Sequence, residues 1–286
     1  MQPEVTAFFH EASKTLSYVA ADPLSKVAAV IDPVLDFEIK SARTATTAAD
    51  SIITFLTERN YRLDWILETH AHADHMTCAT YLQNCLGGRI AIGAEIGLTQ
   101  QHFGRLFNLS DVAQGDGSLF DQLFADGDAF AIGKITATVM HTPGHTPACV
   151  TYVIGDAAFV GDTLFMPDYG TARCDFPGGD ATALYRSIHR IFDLPPQTRL
   201  FTCHDYQPGG RPVAWEASVA QHRQANVHIH DGISEADFVT MRQTRDKTLS
   251  VPDLLLPAVQ VNIRAGRLPA PEANGQRYLK LPLDAI

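Results

Sequence analysis

The stretch Ile66-Leu67-Glu68-Thr69-His70-Ala71-His72-Ala73-Asp74-His75 constrains this chain more than any other. Three imidazoles and a carboxylate lie between His70 and His75, directly behind a short apolar run. Imidazole and carboxylate are the usual protein ligands for zinc and iron. Residues two apart share a face of extended backbone, so His70 and His72 project to one side of a strand ending there. A tight turn beyond them returns Asp74 and His75 towards the same centre. A lone histidine in a loop needs no ligand role, but four donor residues at these spacings predict a metal site.

The same pattern recurs downstream. Val139-Met140-His141-Thr142-Pro143-Gly144-His145 places His145 just after a Pro-Gly turn. Ala158-Phe159-Val160-Gly161-Asp162 ends an apolar run in a carboxylate, and Leu200-Phe201-Thr202-Cys203-His204 ends one in an imidazole. Strand ends gather at one edge of an α/β sheet, where sites are built. Singly, Asp162 reads as a turn carboxylate and His204 as a buried, hydrogen-bonded ring. Jointly, the four clusters predict one centre.

Periodicity supplies the frame. Residues 4–9, 16–20 and 27–32 read as short strands, and Asp32-Pro33 ends the third. The Ser/Thr/Ala stretch at 41–50 leads into a helix over 48–58, with Asp50 and Ser51 as capping candidates. A strand at 64–69 delivers the histidines. Met76, Ala79, Tyr81, Leu82 and Leu86 then follow a helical pattern that stops at Gly87-Gly88. Further expectations are a strand at 89–92, a helix at 95–107, a surface loop at 110–121 and mainly strands over 123–165. A helix at 180–193 and a strand at 199–202 follow. Two strand-rich blocks with helices between and after predict a four-layer α/β sandwich, αββα. Residues 1–286 read as a single domain, with 216–286 a helical and irregular extension packed on it. Within that extension, 215–249 reads as helical and the proline-rich tail from Val251 as mostly irregular.

Composition bounds the partners. With 22 basic against 32 acidic residues the net charge is −10, which argues against nucleic acid or an anionic membrane. Five scattered cysteines without a Cys-x-x-Cys pair fit neither a disulfide framework nor a thiolate zinc knuckle, and point to a reducing compartment such as the cytoplasm. The N-terminus lacks a signal-peptide layout, and no apolar run approaches the ~20 residues that span a bilayer.

Thr69-His70-Ala71-His72-Ala73-Asp74-His75, followed by His145, Asp162 and His204 in that order, resembles the metallo-β-lactamase superfamily. The resemblance covers about residues 4–215 and implies the αββα sandwich with a metal site at its strand ends. By position it implies His70, His72 and His145 around one metal. Asp74, His75 and His204 would surround another, with Asp162 bridging.

Two members compete. A binuclear Zn(II) thioester hydrolase similar to glyoxalase II would use all seven residues, with two metals acidifying a bridging water. A persulfide dioxygenase, similar to the ethylmalonic-encephalopathy protein family, would hold one Fe(II) per chain on His70, His145 and Asp162. Two histidines and one carboxylate leave positions open for dioxygen and substrate sulfur. His72, Asp74, His75 and His204 would then stand behind the ligands. Gly170-Thr171-Ala172-Arg173-Cys174-Asp175-Phe176 resembles that family's Gly-Arg-Thr-Asp-Phe segment, departing by two extra residues and by Cys174 in place of Thr. His204-Asp205-Tyr206 matches its His-Asp-Tyr, and residues 259–267 resemble the ending of a bacterial subgroup.

The dioxygenase reading implies that glutathione persulfide, dioxygen and water become glutathione and sulfite. Arg173, then Arg211 and Tyr206, are the expected holders of glutathione, since a guanidinium grips a carboxylate in a forked contact. Cys174 and Cys203 are expected to be small buried residues. The family implies a possible homodimer. A non-catalytic metal-binding module is disfavoured, because every ligand-type residue is retained.

Overall fold

The computed structural model describes residues 2–285. The first half contains β1 (Glu4–His10), β2 (Thr15–Asp22), β3 (Val27–Ile31), β4 (Val34–Glu38), β5 (Arg43–Ala45), α1 (Thr47–Glu58), β6 (Arg62–Leu67), β7 (Met76–Thr77), α2 (Ala79–Leu86), β8 (Arg89–Gly93), α3 (Ile96–Leu106) and β9 (Gln122–Phe124). The second contains β10 (Ala129–Ile132), β11 (Ile135–His141), β12 (Val150–Ile154), β13 (Ala157–Phe159), α4 (Ala181–Phe192), β14 (Arg199–Phe201), β15 (Glu216–Ser218), α5 (Val219–Ala225), α6 (Glu235–Asp246) and α7 (Leu255–Asn262).

β2 and β3 are buried at every position, so their sheet needs cover on both faces. It runs β1-β2-β3-β6-β8-β9, antiparallel through β3 and parallel beyond. The other large sheet runs β10 to β15 in order, with only β13 and β14 parallel, joined through α4. Alternate residues choose their layer. Tyr18, Ile31, Trp65 and Leu67 meet Val139, Tyr152, Phe159 and Phe201 between the sheets. Val19, Val30, Leu63 and Ile66 face Ile52, Leu56, Leu82 and Val259 on the outside. Ala158, Val160 and Leu200 are covered by Leu184, Ile188, Ile191 and Phe238. Three apolar layers between four layers of structure make the αββα sandwich expected from the sequence.

Local chemistry sets the helix ends. Asp180 accepts from the Ala183 amide and starts α4, whose apolar stripe Leu184-Ile188-Ile191 is buried. Helix α1 departs from expectation. Asp36 of β4, not Asp50 or Ser51, takes the Ala48 amide at 3.0 Å. Asp50 instead accepts from Thr46 and Tyr81, and Ser51 bonds back to the Thr47 carbonyl.

One reading of the C-terminal third needs correction. Residues 215–249 are not one helical stretch but β15, α5 and α6, with an irregular break at 226–234. The tail from Val251 is irregular over most of its described length, as expected, but it contains an unexpected helix, α7, over Leu255–Asn262, buried along nearly its whole length. Pro257 lies in the first turn, where backbone N–H groups have no intrahelical partner to lose. The small pairs β4–β5 and β4–β7 were also unforeseen. The five cysteines are free. No helix among the described residues is long and apolar enough to cross a membrane.

Candidate metal centre

Strand β6 is apolar at Trp65-Ile66-Leu67 and ends at the base of the histidine loop. Asp32, at the end of β3 beside it, organises that loop. Its carboxylate accepts from the Thr69 amide at 2.7 Å, the Thr69 hydroxyl at 2.9 Å and His72 Nε2 at 3.0 Å. The turn at Pro143-Gly144 brings in His145, β13 delivers Asp162 and β14 delivers His204. A β-bridge between Thr15 and His204 ties the two sheets at this end.

All seven expected residues converge. His70, His145 and Asp162 form one donor group, and His72, Asp74, His75 and His204 form a second. Asp162 Oδ2 lies 3.8 Å from His70 Nε2 and 3.6 Å from His145 Nε2, while its Oδ1 lies 3.4 Å from His204 Nε2. Asp74 Oδ2 is 3.1 Å from His204 Nε2. His72 groups by distance with Asp74, His75 and His204, and its ring also lies 4.0 Å from that of His70. The His72 Nε2 is taken by Asp32 Oδ1 at 3.0 Å and Glu68 Oε2 at 3.4 Å, which leaves Nδ1 buried and without a hydrogen bond. Glu68 is buried in turn and accepts from the Thr77 hydroxyl.

Buried polar atoms without partners are costly, and here they face each other. His70 Nε2, His72 Nδ1, His75 Nε2, His204 Nε2, Asp74 Oδ2 and Asp162 Oδ1 are buried and make no hydrogen bond. Cations among them would satisfy these six atoms, so the residues fit a metal. The far ring nitrogens are held from behind: His145 Nδ1 donates to the Arg173 carbonyl at 2.8 Å, and His70 Nδ1 is 3.0 Å from the Thr69 hydroxyl. Thr15 Oγ1 lies 3.3 Å from His75 Nδ1 and 3.4 Å from His204 Nδ1. Such partners fix ring orientation at metal sites.

Electrostatics agrees with a site built for a positive ion. Burial, then the neighbouring His72 and His145 rings, holds His70 well below the usual imidazole range. Burial and the His72 ring bring His75 down to about 4. Both rings therefore stand neutral with a lone pair to offer. Burial raises Asp162 despite the His204 and His145 rings beside it. His72 runs the other way: burial lowers it, but Asp32 and Glu68 outweigh that and raise it well above the usual range.

A cavity of about 260 Å³ opens onto this centre. Asp74, His145 and Asp162 form its floor, and Phe165, Tyr169, Phe176 and Tyr206 much of its wall. Tyr206 and Tyr169 stack at 4.7 Å. Arg173 lines the cavity, but Asp175 holds its guanidinium in a two-pronged ion pair and the Ser250 carbonyl takes a third hydrogen bond at 2.6 Å. Arg211 does not line it. Asp168 and Asp205 occupy both edges of that guanidinium, so the expectation that Arg211 receives a substrate carboxylate is not met. Arg242 and Arg245 of α6 also line the cavity and were missed. Arg242 is buried against Asp246, whereas Arg245 makes no ion pair among the described residues. Their helix carries no motif, so only the fold reveals them. Cys174 and Cys203 are buried, as expected.

An αββα sandwich with clustered histidines and aspartates at its strand ends defines a metal-dependent enzyme fold. Residues 15–204 match the metallo-β-lactamase superfamily model, and the chain belongs to that superfamily. It is 55% identical to a probable metallo-hydrolase of Burkholderia pseudomallei, over 99% of both chains. It is 45% identical to glyoxylase B2 of Dictyostelium discoideum, over 96% of this chain and 94% of that one. With the mitochondrial persulfide dioxygenase ETHE1 of Homo sapiens it shares 31% identity over 90% and 87% of the two chains. Some relatives are longer: the chain spans 65% of a β-lactamase hydrolase-like protein of Xylella fastidiosa, at 51% identity. Among solved structures, ETHE1 from Myxococcus xanthus superposes with a TM-score of 0.74 at 26% identity, covering 92% of this chain and all of that one.

Proposed function

We propose that this chain is a persulfide dioxygenase holding one iron on His70, His145 and Asp162. The observation that carries the reading is the grouping of those three side chains as two imidazoles and one carboxylate, with His72 Nε2 taken by Asp32 and Glu68. The 31% identity to a persulfide dioxygenase and the superposition on ETHE1 support it. A ferrous ion on two imidazoles and a carboxylate supplies redox chemistry and open positions for dioxygen and sulfur.

The chain's own residues would do the rest. His145 and His70 present their Nε2 atoms, kept in place by the Arg173 carbonyl and Thr69. Phe165, Phe176 and the Tyr169–Tyr206 stack form a largely apolar wall against which a substrate stem packs and water is displaced. Arg245, at the rim and without an ion pair among the described residues, receives a substrate carboxylate; Arg173 and Tyr206 contribute packing and shape. The substrate is a small-molecule persulfide carrying a carboxylate, of which glutathione persulfide is the leading candidate. Persulfide, dioxygen and water become thiol and sulfurous acid, which balances as RSSH + O₂ + H₂O → RSH + H₂SO₃. The free cysteines suit a reducing compartment such as the cytoplasm.

A second reading, a two-metal hydrolase of a glutathione thioester, is favoured by a specific observation. His72, Asp74, His75 and His204 form a second donor group, and the probable metallo-hydrolase and glyoxylase B2, at 55% and 45% identity, are nearer than the persulfide dioxygenase at 31%. Metal analysis of freshly isolated protein separates the two, together with oxygen uptake on glutathione persulfide and hydrolysis of a glutathione thioester. One iron with oxygen uptake supports the dioxygenase. Two zincs with thioester hydrolysis and no uptake reject it.

A further inference from the structure

Asn262, the last residue of α7, lies 3% exposed against the histidine loop, far from it in sequence. Its side-chain amide donates to the His72 carbonyl at 2.8 Å and to the His75 carbonyl at 2.7 Å. Its Oδ1 accepts from the Thr77 amide at 2.8 Å. Both amide protons and the oxygen are used, and a flipped amide would set oxygen against two carbonyls, so the orientation is unambiguous. His72 and His75 lie in the loop between β6 and β7, where no strand or helix satisfies their buried carbonyls, and Asn262 serves both together with the Thr77 amide of β7.

We infer that Asn262 is a positioning residue of the metal centre, holding the backbone from His72 to Thr77 so that Asp74 and His75 face His204. The other half of the centre has separate supports: His70 rests on Thr69, and His145 on the Arg173 carbonyl. Helix α7 is itself fixed where Gln100 donates to the Ile263 carbonyl at 2.9 Å and Thr80 donates to the Ala265 carbonyl at 2.6 Å. The C-terminal segment thus completes the loop that carries four of the seven donor residues. The inference holds whichever metal the centre carries and whichever reaction it runs.

The test compares full-length, metal-loaded Asn262→Ala and Asn262→Asp with Val261→Ala, a neighbour buried in the same helix that makes no side-chain hydrogen bond. Metal release to an excess of chelator and amide exchange by mass spectrometry are both read. The Asn262 variants should release metal about 10–100-fold faster, with faster exchange in residues 72–77 and none gained in 141–150. Asn262→Asp keeps the acceptor for Thr77 and serves if the alanine variant does not fold. Val261→Ala should lower the melting temperature yet release metal at the parent rate. Release unchanged in the Asn262 variants, or accelerated equally in Val261→Ala at matched melting temperature, overturns the inference.

Discussion

The main-chain carbonyl of Arg173 accepts a hydrogen bond from His145 Nδ1 at 2.8 Å. That contact places the imidazole proton on Nδ1 and leaves Nε2, 3.6 Å from Asp162 Oδ2, with a free lone pair. The loop carrying Arg173 is itself held from α6. Arg242 donates to the Thr171 carbonyl at 3.0 Å, and Asp246 accepts from the Cys174 amide at 2.8 Å. A buried ion pair between Arg242 and Asp246, 2.8 Å, joins the two anchors.

Removing one partner of that pair leaves a buried charge uncompensated. Asp246→Ala should cost about 3–5 kcal/mol in urea unfolding, and the double variant Arg242→Met/Asp246→Ala should recover part of it. Because the loop carries the carbonyl behind His145, the single variant should also lose metal faster to a chelator. Additive losses in the double variant would contradict the coupling.

His145→Ala should retain the circular-dichroism spectrum of the parent while losing bound metal and all turnover, because its ring supplies a donor and no packing core. His204→Ala separates the two readings of the centre. With a single iron on His70, His145 and Asp162, its metal content stays near one per chain. With two zincs, it falls from two towards one.

Arg245 is the cavity guanidinium without an ion pair among the described residues. A hydrogen bond to a charged group contributes about 1.5–3 kcal/mol, so Arg245→Ala should raise KM for glutathione persulfide roughly tenfold or more with kcat little changed. Arg211→Ala, whose guanidinium is occupied by Asp168 and Asp205, should leave KM near the parent value. Comparing persulfides with free and esterified carboxylates checks the charge directly.

Asp22 joins the two large sheets at the end away from the metal. It accepts from the Ser25 hydroxyl at 2.6 Å and from the Lys134 amide, in the β10–β11 turn, at 2.8 Å. The Ser25 hydroxyl, then the Lys134 amide, holds its carboxyl at about 2, below the value of about 4 in an unfolded chain. Its contribution is therefore full above about pH 4 and fades as pH falls through 2. Against Asp22→Asn, the parent's stability advantage in denaturant titrations should be constant near neutrality and shrink between pH 4 and 2.

The centre was legible because each cluster of donor residues follows an apolar strand, and strand ends converge. Seven of its residues could be named that way, along with the layer order. Asp32 carried the same signal, an apolar run ending in a carboxylate, but Pro33 behind it reads equally well as a strand terminator. Asn262 and Arg242 were not legible. Each acts across a long sequence gap through geometry that periodicity does not encode, and the prolines around α7 mask a helix whose first turn tolerates one. Arg211 misled because a guanidinium near a site reads as free until the carboxylates of Asp168 and Asp205 appear beside it.

Gly161 links the sheet to the metal centre, and its substitution tests whether the donor residues are held in place by packing. It has φ +53°, a region costly for residues with a side chain, and an added Cβ would meet Thr69 Oγ1 at 2.6 Å and Thr69 Cβ at 2.8 Å. Thr69 cannot yield freely, because its amide and hydroxyl both bond Asp32 and its hydroxyl lies 3.0 Å from His70 Nδ1. Gly161→Ala should therefore cost about 1–3 kcal/mol from crowding, and should displace Asp162 on one side and His70 on the other. The expected result is a lower melting temperature together with metal content well below the parent's. Gly209→Ala, at a surface turn with φ +69° and nothing within 4 Å of the added Cβ, should lose some stability and keep its metal. Full metal content in Gly161→Ala would show that Thr69 and His70 move aside without disturbing the centre.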